Sequence, residues 1–288
     1  MKNLIIYKLK NTDFDLSKLQ KFEPPLSLEF FSSGFVDPRD TGIFHKVGNN
    51  VLLRFRADKK ILPKSAIDSE VMIESEAIYR LSGHKPSKNK LKELKKYVID
   101  ELLPSALCSS SYTNVWIDLK NLWLAIDTSS QNKSDDIICA ILKAIEGFPA
   151  ESLPIGSVSD SMTNWLKFCF SPDWFSIDSD ATLQKFGDEK SIVKYTNHTV
   201  SDDEILTRIA EGKICTSLAM TWNNKISFVL TDNLTIKKIK FLGLMKANIA
   251  NSEDFDSEFT LMAMEFNAML NRLFDALNAN AEFSDDED

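Results

Sequence analysis

From Phe255 to Leu277 large apolar residues recur every three or four positions, at Phe255, Phe259, Met262, Phe266, Met269, Leu273 and Leu277. That period is the signature of a long helix with one apolar face, and such a face needs an apolar partner. The preceding segment offers one. Ile214 to Thr221, Lys225 to Leu230 and Leu234 to Phe241 read as three successive strands. They are joined by the turn-type triplets Trp222-Asn223-Asn224 and Thr231-Asp232-Asn233, which favour antiparallel hairpins. Ser201-Asp202-Asp203-Glu204 reads as a capping box opening a short helix that stops at Gly212. The acidic tail Ser284 to Asp288 is expected to be disordered.

The N-terminal half has a related grammar. Leu4 to Leu9 reads as a buried strand, and Asn50 to Ala57 as a strand in which Leu53 and Phe55 alternate with Arg54 and Arg56. Asn114 to Asp118 and Leu122 to Ile126 read as a strand pair turning at Leu119-Lys120-Asn121, followed by a helix from near Ser134 to Gly147. Two further helices are predicted, Ser65 to Leu81 and Ser87 to Leu103, separated by the break Gly83-His84-Lys85-Pro86. The expected fold class is therefore α+β, with antiparallel sheets, packed helices and a projecting αα-hairpin. Residues 148–160, with two prolines and no periodicity, are the candidate boundary. The expected division is a central domain of 1–64 with 114–160, a helical tip of 65–113, and a base domain of 161–288.

Charge is distributed unevenly. The chain carries a formal net charge of -8. Yet Arg80, Lys85, Lys88, Lys90, Lys92, Lys95 and Lys96 fall within one stretch containing a single acid, Glu93. A positive cluster on a negative protein points to a localised polyanion site, while a solvated helix face is the plain alternative. A second group comprises Lys237, Lys238 and Lys240 within one strand, where Lys238 and Lys240 share a face under period-two alternation. Lys213 and Lys225 begin neighbouring strands, and together these ammonium groups could meet phosphates without reading base sequence. The competing reading is a sheet face kept soluble by lysine.

No catalytic constellation emerges. The three histidines, His45, His84 and His198, have no metal-ligand spacing, and HExxH, GxGxxG, Walker A and GxSxG patterns are absent. Asp135-Asp136 and Asp202-Asp203 sit at predicted helix starts, where acids serve capping and the helix dipole. A metal-dependent nuclease built from distant carboxylates is the minor alternative. No cofactor is expected. Cys108, Cys139, Cys169 and Cys215 form no CxxC pair and fit a reduced cytosolic protein. The start MKNLIIYKLK lacks a cleavage site, no segment reaches the length of a membrane span, and the expected location is the cytoplasm. Trp116, Trp123, Trp165, Trp174 and Trp222 could stack on bases, although Trp116 and Trp123 lie in strongly apolar strands.

Several strings, in constant order over nearly the whole chain, resemble the recombination-associated protein RdgC family. They are MKNLIIYKL, Lys60-Ile61-Leu62-Pro63, Leu102-Leu103-Pro104, Val115-Trp116-Ile117-Asp118, Thr163-Asn164-Trp165-Leu166, the run Glu204 to Phe241, and Arg272 to Leu277. The resemblance implies a non-enzymatic, nucleoid-associated protein that binds DNA without sequence preference. It implies a ring-shaped homodimer that encloses duplex DNA in a positively lined hole and restrains RecA-promoted strand exchange. Duplex DNA is the expected partner, with single-stranded DNA left open beside it and no membrane partner. A module acting on a recombination protein, with DNA incidental, is the alternative. The implied DNA-binding set is Lys85, Lys88, Lys92, Lys95, Lys96, Lys213, Lys225, Lys237, Lys238, Lys240 and His198. The hairpin is implied to close one end of the ring, and the C-terminal sheet and helix, with Phe266 and Met269, the other. The chain departs from the family pattern after Leu102-Leu103-Pro104, where serines replace basic residues. Leu107 there stands in place of the aromatic at the tip contact between copies and is expected to pack there. Thr196-Asn197-His198 similarly dilutes a basic finger.

Overall fold

The computed structural model describes residues 1–153, 156–187, 191–197 and 203–281. The apolar run at the start forms β1 (Ile5–Leu9), which takes an inner place in a seven-stranded sheet. Its companions are β2 (Phe31–Val36), β3 (His45–Val47), β4 (Asn50–Ile61), β5 (Leu107–Asp118), β6 (Trp123–Ile126) and β7 (Ala150–Glu151). The order is β2-β4-β5-β6-β1-β7, with β3 paired to β4, and every pairing is antiparallel. Between β4 and β5 come α1 (Lys64–Ser82) and α2 (Lys88–Leu102), which pack on each other. Gly83 ends α1 at φ 71 with its N–H on Tyr79 O (2.8 Å), a left-handed position that glycine occupies without strain.

Both faces of this sheet are buried where β1 and β6 adjoin the Asn50–Leu53 and Val115–Asp118 ends of β4 and β5. Ile5, Tyr7, Leu53, Phe55, Val115, Ile117, Leu124 and Ile126 meet Ile137, Ile141 and Ile145 of α3 (Gln131–Ala144) and its end. Ser130 caps that helix, so it starts ahead of the expected Ser134. Ser134 is fully buried and hydrogen-bonded to the Tyr7 hydroxyl (2.9 Å). Leu4, Ile6, Leu52, Trp116, Trp123 and Ala125 line the opposite face. β4 and β5 stay in register from Asn50↔Asp118 to Ile61↔Leu107, so β5 begins well before the expected Asn114. Its serine run carries no apolar alternation, but the extended β4 beside it satisfies its backbone.

The second sheet comprises β8 (Phe175–Gln184), β9 (Ile192–Tyr195), β10 (Ile214–Trp222), β11 (Ile226–Thr231) and β12 (Ile236–Phe241), in the order β12-β11-β10-β8-β9. α4 (Val158–Lys167) and α5 (Asp203–Ala210) precede β8 and β10, and α6 (Gly243–Ala250) and α7 (Phe255–Ala281) follow β12. The three predicted hairpin strands are present within two residues of their expected ends. Of the capping box, Ser201 and Asp202 lie outside the described residues. α4 is absent from the sequence reading although Val158, Met162, Trp165 and Leu166 recur at helical spacing. The reason is that the boundary expected at 148–160 cuts into its first turn, and Ser159, Ser161 and Thr163 share its buried surface. The Thr163 hydroxyl donates to Ser159 O (2.6 Å) and accepts from Cys215 N (2.8 Å), tying α4 to β10.

A single core crosses the boundary expected at 148–160, where β7 pairs with β1 and Ser157 caps α4. α7 is its centre. The Phe266 ring stands 5.9 Å from Trp116 of the first sheet and 5.6 Å from Phe241 of the second, and Phe274 stacks on Trp123 at 4.8 Å. Phe266 and Met269, expected at a contact between copies, are fully buried inside their own chain, because the helix needs that stripe for both sheets. The chain start adds a backbone tie: Leu4 and Ile236 exchange hydrogen bonds (2.8 and 3.0 Å), and Ile239 N donates to Lys2 O (2.9 Å). His45 is also buried, with Nε2 2.7 Å from Asp256 at the start of α7.

Replacing Phe266 by Ala removes a ring shared by two sheets and should cost about 3–5 kcal/mol of stability. Urea unfolding followed by near- and far-ultraviolet circular dichroism measures it, and a loss below about 1 kcal/mol would contradict this packing.

Candidate nucleic-acid interface

The positive end of α2 is built by its own periodicity. Ser87 caps the helix by accepting from Lys90 N (3.3 Å). Leu94 and Val98 turn inward, and the spacing of Lys88, Lys92, Lys95 and Lys96 places them together on another arc. Lys95 lies 3.5 Å from Asp68 of α1, and Lys90 lies 3.1 Å from Glu93. Lys88, Lys92 and Lys96 are exposed and, among the described residues, have no carboxylate within 4.0 Å. Lys85 is exposed in the turn ahead of the helix. These charges are therefore free to meet an external anion, at the entropic cost of ordering long side chains.

The sheet lysines are arranged differently from the expectation. Val229 pairs with Lys237 and Ser227 with Lys240, so one extra residue is accommodated between them as a β-bulge. Lys238 occupies it at φ 55, and its N–H donates to Asn3 Oδ1 (3.2 Å). The bulge shifts the alternation by one, so Lys237, and not Lys238, shares a face with Lys240. Lys237 and Lys238 line a hollow of about 390 Å³ with Lys194, Thr182, Gln184 and Thr231. Asp180 and Asp232 also line it and moderate its charge. Lys194 was missed because β9 is too short to show a period.

Two expected lysines are committed within the fold. Lys213 is buried, with Nζ 2.9 Å from Glu211. Lys225 Nζ is 2.5 Å from Glu265 of α7, whose other oxygen accepts from Trp222 Nε1 at 3.4 Å. Both are occupied where they sit. His198 lies outside the described residues. Leu107 is 80% exposed at the start of β5, directly across from the half-exposed Ile61. The two form an apolar pair at one end of the strand ladder.

Arg56 shows how another cation is neutralised. It makes two bonds to Asp58 (2.8 and 2.7 Å), with its guanidinium 4.3 Å from the Phe22 ring. The Arg56 hydrogen bonds hold the Asp58 carboxyl below the usual range, and the guanidinium is raised in turn. An apolar groove of about 740 Å³, walled by Phe30, Phe31, Phe55, Ile61, Ile67 and Ile99, contains one carboxylate, Asp136, and no histidine. Among the described residues no group of three or more His, Cys, Asp or Glu side chains could hold a metal ion. No described helix is long and apolar enough to cross a membrane.

Residues 1–280 match the sequence pattern of the family described as "Putative exonuclease, RdgC". The chain belongs to the RdgC family. Its relatives include the recombination-associated protein RdgC of Cupriavidus necator, 39% identical over 263 residues, covering 89% of this chain and 88% of the relative. That of Janthinobacterium sp. (strain Marseille) is 38% identical over 296 residues, covering 98% of each. That of Bordetella pertussis is 36% identical over 290 residues, covering 96% of this chain and 97% of the relative. The resemblance carried by the scattered strings thus extends across the chain, and these RdgC relatives are named for recombination while the family description names an exonuclease.

The Asp58 carboxyl titrates below 3.8 in the folded state, so the stability it adds is complete above that value and is lost as pH falls through the folded pKa. Asp58→Asn should cost about 2 kcal/mol at pH 7, with the gap to the unsubstituted chain closing in acid below 3.8. Urea midpoints across pH measure this, and a gap that widens in acid would contradict it.

Proposed function

We propose that this chain is a sequence-nonspecific DNA-binding protein that acts as a ring-shaped homodimer and modulates recombination by limiting RecA-promoted strand exchange. The observation that carries the reading is the face of α2, where Lys88, Lys92 and Lys96 have no carboxylate partner among the described residues, on a chain of net charge -8. Local positive charge on an acidic body attracts a polyanion to one place and repels it elsewhere. Membership in a family whose relatives are named recombination-associated supplies the biological setting.

In this reading residues 65–113 form a helical-hairpin tip, 1–64 with 114–160 a central domain, and 161–288 a base. Leu107 and Ile61 close the tip contact with a second copy, because exposed apolar side chains there gain by mutual burial. Lys85, Lys88, Lys92, Lys95 and Lys96 meet phosphates from the tip, and Lys237, Lys238 and Lys240, joined by Lys194, from the base. Lys213 and Lys225 drop out of the contact set, since their ammonium groups already answer Glu211 and Glu265. The protein would work in the nucleoid.

Fluorescence anisotropy on two unrelated duplexes of equal length should give equal affinities. The log–log salt slope should be roughly -4 to -5, as expected for four to six neutralised phosphates. Lys88→Glu, Lys92→Glu and Lys96→Glu together should weaken binding more than tenfold and flatten that slope by about 3. Leu107→Asp should lower the light-scattering mass from twice 32.6 kDa towards 32.6 kDa. Strong preference for one duplex would contradict the proposal, as would magnesium-dependent shortening of DNA ends.

A further inference from the structure

Of the five tryptophans, Trp116, Trp123, Trp165 and Trp222 are buried, while Trp174 is 58% exposed. It does not stand alone. Phe168 and Phe170, in the same short connection between α4 and β8, are 69% and 57% exposed. Three large rings on seven residues of surface form an apolar display, and the side-chain contact found for it among the described residues is that of Lys167 with Phe168.

The backbone beneath them is held. Phe168 N donates to Asn164 O (2.9 Å), Cys169 N to Leu166 O (3.2 Å) and Phe170 N to Trp165 O (3.0 Å). Phe175 N donates to Pro172 O (2.9 Å), and Asn223 N to Trp174 O (2.7 Å). Cys169 and Trp174 both adopt positive φ, 48 and 72, in the region that bulky side chains rarely enter. Such conformations persist when the surroundings impose them, and they concentrate at binding sites. Here they turn the rings outward from a fixed frame. Lys167, at the end of α4, has Nζ 5.3 Å from the Phe168 ring centroid. The exposed Asn223 and Asn224 of the β10–β11 turn adjoin Trp174 through the Asn223–Trp174 backbone bond.

We propose that Phe168, Phe170 and Trp174 form a stacking platform for the unpaired bases of single-stranded nucleic acid, with Lys167 meeting the phosphate backbone. Within residues 168–174 the large exposed apolar side chains are all flat rings. The display is bordered by the Lys167 ammonium group and two amide-bearing residues. The one exposed carboxylate within the connection, Asp173, leaves the border close to neutral, which suits contact through base faces more than through phosphates. An unpaired base is flat and apolar on its faces and polar at its edges, and stacking on such rings tolerates any sequence. Duplex DNA keeps its base faces stacked on one another and offers this platform little. The proposal rests on the nucleic-acid reading above but uses different residues from the lysine surfaces.

The test compares labelled oligo(dT) with a duplex by anisotropy, using the full chain. Trp174→Ala and Phe170→Ala should each weaken oligo(dT) binding at least about fivefold. Duplex affinity should stay within about twofold for both, because the lysine contacts that carry it are untouched. Trp174→Phe should restore most of the oligo(dT) affinity, which a lost fold would not allow. Oligo(dT) should quench tryptophan fluorescence in the unsubstituted chain and much less in Trp174→Phe. Unchanged oligo(dT) affinity in both alanine variants overturns the platform. So does a fall in mass to the monomer with DNA binding intact, which would make the patch a contact between copies. Ring-dependent oligo(dT) binding without duplex binding would sink the duplex-encircling function while leaving the platform standing.

Discussion

The Phe266 ring has an aromatic neighbour in each sheet, Trp116 on one side and Phe241 on the other. A helix with a single apolar stripe normally serves one partner. Here α7 serves two, and Phe259, Ala263, Phe266, Met269, Leu270, Leu273, Phe274 and Leu277 are all buried in doing so. The N-terminal segment reinforces the arrangement by exchanging backbone bonds with β12. The bulge at Lys238, beside Asn3, belongs to the same junction. The base lysines therefore depend for their placement on the packing between sheets as well as on their own strand.

Several cations answer carboxylates inside the molecule, and how the others are grouped decides where an anion can bind. Arg56, Lys213 and Lys225 each have a close acidic partner. Lys88, Lys92 and Lys96 have none among the described residues, and helical spacing groups them. Surface pairs such as Lys95 with Asp68 add little stability and can yield to a phosphate, so Lys95 belongs with the free lysines more than with the committed ones. An acidic body with grouped, uncompensated lysines suits the proposed function, in which a polyanion is held in one place.

Elements with a strong period were legible in the sequence. The stripe of α7, the three strands before it, the two lysine-bearing helices and β1 all appear where periodicity placed them. α4 was passed over although Val158, Met162, Trp165 and Leu166 keep a helical period. The expected boundary at 148–160 cut into its first turn, and the buried Ser159, Ser161 and Thr163 interrupt the apolar face. The first half of β5 was hidden in a serine run, and β8 by a register shift against β10 between Leu218 and Met220. At the candidate site, α2 matched its expectation since one helix contains it. The sheet lysines did not, because a one-residue bulge reassigns the shared face from Lys238 to Lys237. Lys213 and Lys225 were misplaced for a different reason. Their partners, Glu211 and Glu265, become visible as partners only when chain direction and the distant α7 are known.

Two copies that surround DNA, as proposed, would be linked to it topologically, and topology tests the proposal more directly than affinity does. The protein is bound at low salt to a covalently closed circular plasmid and to the same plasmid cut once. Both are then washed with salt high enough to break phosphate contacts. An enclosing ring should remain threaded on the closed circle and slide from the ends of the cut one. Equal loss from both forms would show that the lysines grip DNA from one side, and the ring would have to be abandoned.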